Sequence, residues 1–226
     1  MLFDLRSRRR RGAVKVIYAS LALVMVVGLV GLGIGTGNSG GLLNAGGNGG
    51  SGTGSSTNDA QVKAAIKAVD AHPTPANWAN LLTVRYSAAG STSNFNSTTG
   101  VYTAAGKAQL RGTVSAWQGY LHASADRPTL DNAIIAARAY QALGQWADES
   151  VAWNYAAQAA PASERLNPDY CLALSSYAAK EKTKGELATT AALALTAKAQ
   201  RLTQKSTLKS AQSSPTTAQS DLATYC

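Results

Sequence analysis

The chain has 226 residues, of which 45% are hydrophobic and only 15% charged, and it carries a formal net charge of +9. So few acids and bases speak against a charge-driven catalytic centre. Two Cys and two His provide neither the thiols of a Cys₄ zinc site nor the close grouping of a Cys₂His₂ or c-type haem site. The excess charge is uneven, because Arg6, Arg8, Arg9, Arg10, Arg11 and Lys15 stand against only Asp4 in the first 35 residues. A basic stripe along the whole chain would point to nucleic acid. A basic patch beside an apolar run points to membrane topology, so no nucleic-acid partner is expected.

Residues 1–12 form this basic segment, and residues 13–35 read as a transmembrane helix. Val16 to Gly35 is a run of 20 residues without a charge, and a helix of that length spans roughly 30 Å of hydrocarbon. Lys15 is placed to snorkel to the headgroups, with Tyr18 at the same interface. Gly31 and Gly35 have the spacing that lets two spans pack closely. A cleaved signal peptide is the competing reading. The apolar run is long for one, and no small-residue cleavage site follows it. The positive-inside rule then leaves residues 1–12 in the cytoplasm and the rest beyond the membrane, giving a single-pass protein that contacts lipid through residues 13–35.

Residues 36–58 (TGNSGGLLNAGGNGGSGTGSSTN) read as a flexible Gly/Ser-rich linker with an r.m.s. span of roughly 25 Å. From Asp59 the apolar period becomes helical. Val62, Ile66 and Val69 share one face, and Pro73 closes the helix. Thr74 and Pro75 make a cap and first-turn pair for a helix carrying Trp78, Leu81, Leu82 and Tyr86, which Gly90 stops. A polar loop occupies residues 89–102. Leu110, Val114, Trp117 and Leu121 mark the next helix. Thr129 opens another, with Leu130, Ile134, Ala137 and Tyr140.

Gly144 separates that helix from one with Trp146, Trp153 and Ala157, ending at Pro161. Asn167 and Pro168 open a helix with Tyr170, Leu174 and Tyr177. A turn over Lys180–Gly185 leads to one lined by Leu187, Ala191 and Leu195. Strand patterns are few, so the expected fold class is all-α. Residues 204–226, rich in Ser, Thr and Gln, read as a polar disordered tail.

Ala116-Trp117 recurs as Ala152-Trp153 after 36 residues, and Tyr140 recurs as Tyr177 after 37. Such periods imply stacked helix pairs. The segment from Ala137 to Pro161 resembles a tetratricopeptide repeat, with Ala137, Tyr140, Gly144, Trp146, Trp153, Ala156 and Pro161 on that family's small and aromatic positions. Trp78, Leu81 and Leu82 match its W-x-x-L-G start, with Leu82 in place of Gly. Glu149 departs from it, standing where the motif has Ala. The resemblance implies about three helix pairs over residues 59–203, one full repeat and two degenerate ones. An unrelated Ala-rich bundle is the alternative.

The resemblance also implies a groove that binds a protein or peptide partner, with Tyr86, Arg138, Gln141 and Ser175 facing it. Arg138 is suited to a carboxylate and Gln141 to an extended backbone. The layout of basic start, single span and extracytoplasmic repeat domain is similar to that of the ancillary subunit of the bacterial SecYEG translocon and of small envelope repeat proteins of high-GC bacteria.

Neither His72 nor His122 has a nucleophile and acid at catalytic spacing, and no H-E-x-x-H, G-x-S-x-G or Walker sequence occurs. The chain is therefore not expected to be an enzyme, and no cofactor or metal site is expected. Cys171 and Cys226 admit a disulfide beyond the cytoplasm. A tail with so few apolar residues to dock it favours instead a buried Cys171 and a loose Cys226. Two functional readings result: an adaptor or chaperone-like accessory for secreted or envelope proteins, and a self-associating scaffold of the envelope.

Overall fold

The computed structural model describes residues 54–226. The basic segment, the span of residues 13–35 and the linker up to residue 53 lie outside the described residues. No helix among the described residues is long and apolar enough to cross a membrane.

The described chain is all-α apart from one short hairpin. Its helices are α1 (Gly54–Ala71), α2 (Pro75–Ala89), α3 (Ala104–Ala123), α4 (Leu130–Ala142), α5 (Trp146–Ala159), α6 (Leu166–Ala178), α7 (Lys182–Leu195), α8 (Lys198–Ser213) and α9 (Pro215–Tyr225). Helix α1 begins at Gly54, inside the segment expected to be linker. It buries Val62, Ala65 and Val69. Its last carbonyls are not left bare: Asn77 Nδ2 on α2 donates to the carbonyls of Ala68 and His72, at 3.2 and 2.8 Å.

Helix starts follow the capping chemistry. Thr74 accepts from the Asn77 amide with Pro75 in the first turn. Thr103 accepts from Gly106 and Thr129 from Asn132. Residues 89–102 are more than a loop. Phe95–Asn96 pairs antiparallel with Val101–Tyr102, and the Phe95 and Tyr102 rings stack 4.7 Å apart. Asn96 Oδ1 accepts from the amides of Thr98 and Thr99, and Gly100 closes the turn at φ +67°.

Consecutive helices pack as pairs, α2 with α3, α4 with α5 and α6 with α7, and α5 packs in turn on α6. α2 also meets α4. Alanines carry much of this contact. Ala133, Ala136, Ala137 and Ala139 on α4 are fully buried, so neighbouring backbones approach closely. Trp117 and Trp153 fill the space between pairs.

Two glycines inside helices each admit an aromatic ring. Gly185, expected to end a turn, lies inside α7 against the Tyr177 ring. Gly119, inside α3, lies under the Trp78 ring, where an added Cβ would sit 2.7 Å from ring carbons. The buried face of α7 is correspondingly Gly185, Ala188 and Ala192. Leu187 and Leu195, expected to line it, are exposed at 70% and 45%.

The largest departure from the sequence reading is residues 204–226. They are helical, and they bury Leu208, Ala211, Ala218 and Leu222. α8 packs on α6 and α7, and α9 on α6 and α8. The result is a helix covered on all sides: every residue of α6 from Pro168 to Ala178 is buried.

Because an added methyl group would press on the Trp78 ring, Gly119→Ala is expected to cost about 1–3 kcal/mol. Urea denaturation of the two proteins measures it. An unchanged midpoint would mean that the contact yields freely.

Candidate partner-binding face

The face in question lies where α4 and α6 meet the last helix. Ser214 starts α9 with its Oγ accepting from the Thr217 amide, followed by Pro215 in the first turn. This repeats the Thr74-Pro75 start of α2 and is the sequence signal that marks the tail as helical. Ala218 and Leu222, four residues apart, then point into the core. Tyr225 meets Tyr170 edge-to-face at 5.9 Å.

The helix ends in a covalent tie. Cys226 is disulfide-bonded to Cys171 on α6, across a separation of 55 residues. This corrects the expectation of a loose terminal thiol, which followed from treating the tail as unable to dock. In the chain-entropy account a bridge closing such a loop contributes about 4 kcal/mol. Burying one leucine side chain contributes about 1.5–3 kcal/mol. The bridge is therefore the largest single contribution holding α9.

Of the four residues expected to face a partner, the structure brings Tyr86 and Arg138 together, half-buries Gln141 and withdraws Ser175. Arg138, exposed on α4, donates from Nε to the carbonyl oxygen of Cys226 at 3.2 Å. Tyr86 is half-buried beside the small cluster of Ala89, Leu110 and Ala139. Its hydroxyl is raised above the ordinary tyrosine range by burial and by Tyr102, while the positive charge of Arg138 pulls it down. Gln141 is half-buried near the end of α4. Ser175 is fully buried, its Oγ donating back to the carbonyls of Cys171 and Leu172 at 2.8 and 3.2 Å. It cannot face a partner, because α6 presents no uncovered side from Pro168 onwards.

Beside this face is an open cavity of about 460 Å³ between α6, α8 and α9, bordered by Asn167, Tyr170, Gln204, Thr207 and Tyr225. Its titratable lining residues are Glu164, Tyr170 and Tyr225. The carboxyl with the most displaced pKa is elsewhere: Glu149 on α5, fully buried. Desolvation pushes it up to about 8, and the Trp153 indole, donating to Oε1 at 3.0 Å, pulls the other way. Its Oε2 has no protein partner.

Burial with an indole on one oxygen holds Glu149 as a neutral acid in the core. Nearby, the buried Ser150 Oγ lies 2.9 Å from Glu181 Oε2 and accepts from Lys184 Nζ at 2.7 Å, which ties α5 to the start of α7. Asp169, at the start of α6, is raised by burial, with Arg165 at 3.4 Å pulling it down.

Comparison with protein-family models, with curated proteins and with solved structures finds no match for this chain.

Two outcomes follow from this geometry. In the unfolded chain Glu149 ionises at its ordinary value, so its protonated form favours the fold. That contribution is full below about pH 4 and is lost as pH rises toward 8. Glu149→Gln is expected to be more stable than the parent by about 1–3 kcal/mol near pH 8 and nearly equal near pH 4, read from denaturation midpoints. A difference independent of pH would show that Glu149 is ionised in the fold. Thiol titration in denaturant without reductant is expected to find none, and two per chain after reduction. Two before reduction would remove the bridge.

Proposed function

We propose that the chain is a membrane-tethered interaction module, its helical domain standing beyond the cytoplasm and receiving segments of secreted or envelope proteins. The observation that carries this reading is the face of α6 and α8 on which the short helix α9 is seated, with Arg138 of α4 donating to the backbone oxygen of Cys226 at its end. Those are the two contacts a helical or extended peptide would require.

The stacked helix pairs and the aromatic positions resembling a tetratricopeptide repeat support an adaptor or chaperone-like role. The bridge between Cys171 and Cys226 suits an oxidising compartment. The basic residues 1–12 before an uncharged run of 20 suit an anchor with that orientation. Binding of this kind needs no cofactor and no catalytic group.

A second reading, self-association as an envelope scaffold, is favoured by one observation. Leu187 and Leu195 on α7 and Leu202 on α8 are exposed large apolar side chains, Leu202 at 82%. These are ready-made contacts for another copy.

A photoreactive residue at position 141, in cells producing the full chain, separates the two. Adducts with foreign exported chains are expected. Adducts with a second copy alone would replace the adaptor reading with the scaffold.

A further inference from the structure

The helix resting on the candidate face belongs to the chain itself, and the way it is held is unusual for a core element. α9 has only 11 residues, too short to persist as a helix on its own in water. Two of its side chains, Ala218 and Leu222, are buried, while Ala223, Thr224 and Tyr225 are exposed. It joins α8 through Ser214 alone, in an extended conformation, and packs on both α6 and α8. Beyond those two side chains it is fastened by the edge contact of Tyr225 with Tyr170, the bridge to Cys171 and the contact of Cys226 with Arg138. The repeats beneath have their own packing: α4 on α5, α5 on α6 and α6 on α7.

We infer that α9 is an internal occupant of the partner-binding face, latched by the Cys171–Cys226 disulfide, and that reduction by a dithiol opens the face to a foreign amphipathic helix. That partner helix would present a small residue, a leucine and a tyrosine at the spacing of Ala218, Leu222 and Tyr225. The inference rests on the reading of this face as a protein-binding one.

The chemistry balances as an ordinary exchange. A thiolate of the reductant attacks Sγ of Cys226, which is half-exposed, rather than that of Cys171, which is fully buried. A mixed disulfide forms with Cys226, and Cys171 leaves as a thiolate. The second thiolate of the reductant then attacks its own bridged sulfur, closing a cyclic disulfide and releasing Cys226. Two electrons pass from the reductant to the bridge, and the reductant's two protons end on the two cysteines. Opening frees the Arg138 Nε donor and uncovers Tyr170 and Cys171 on α6. These are the groups a replacement helix would cover.

The full chain in detergent tests this in three forms: oxidised, reduced with dithiothreitol, and carrying Cys226→Ser. The probe is a fluorescent peptide of residues 214–226 with serine in place of its cysteine. In the oxidised chain the amides of residues 218–225 are expected to be protected from hydrogen exchange, and the peptide should not bind. In the other two forms those amides should exchange roughly 100-fold faster, α4 to α6 should keep their protection, and the peptide should bind.

Protection of α9 that survives reduction would overturn the inference. So would loss of protection throughout α4 to α6, which would make the bridge a staple of the whole domain. Release of α9 without peptide binding would overturn it too. Peptide binding to the opened chain with no foreign adducts at position 141 would keep the latch and remove the adaptor reading. Foreign adducts formed equally by oxidised and reduced chains would do the reverse.

Discussion

The burial of α6 is the constraint on which the rest of the domain depends. From Pro168 to Ala178 no residue of this helix reaches solvent, yet the helix carries Asp169, Ser175 and Ser176 among its apolar side chains. Neighbours that cover such a helix stabilise it, and its polar groups find partners, Ser176 Oγ excepted. α5 and α7 cover it within the stack of helix pairs, and α8 and α9 complete the cover. Ser175 turns its hydroxyl back onto its own helix, and Asp169 pairs with Arg165. Placing Cys171 in the middle of this helix allows the last residue of α9 to be fastened to the centre of the domain rather than to its rim.

The same placement decides what the α4–α6 face can do. A groove left bare would expose apolar surface, whereas one filled by a short helix fastened at its end by a reducible bond is covered and still open to exchange. Two buried side chains, the Tyr225–Tyr170 contact, one backbone contact to Arg138 and a bridge make a cover whose largest single contribution is the bridge. A larger apolar face on α9 would have made it a permanent part of the core. The exposed leucines on α7 and α8 lie on other helices and bear on self-contact rather than on this face.

Much of the helical plan is legible in the sequence because its starts are written in side-chain chemistry. Thr74 with Pro75, and Thr129, each place a hydroxyl where free amides need an acceptor, and the helices begin there. Ser214 with Pro215 carries the same signal at α9. Composition masks it, because a stretch rich in Ser, Thr and Gln looks unable to bury itself. The apolar residues it does contain, Leu208, Ala211, Ala218 and Leu222, nonetheless fall at helical spacing and are all buried. Glycine misleads in the opposite direction. Gly185 reads as a turn by propensity but lies within α7 to admit the Tyr177 ring, and no local pattern records a close approach between helices. The candidate site divides along the same line. Arg138 is legible as an exposed cation on a helix face, whereas the burial of Ser175 follows from the cover around α6, which only the tertiary packing reveals.

The seating of α9 on α6 is tested most directly by nuclear Overhauser contacts from the methyl groups of Leu222 in the oxidised protein. Contacts to protons of α6, with methyl shifts moved away from those of a solvated leucine by the neighbouring aromatic rings, are the predicted result. Solvated shifts and no contact to α6 would contradict it, leaving α6 uncovered and the face without its occupant.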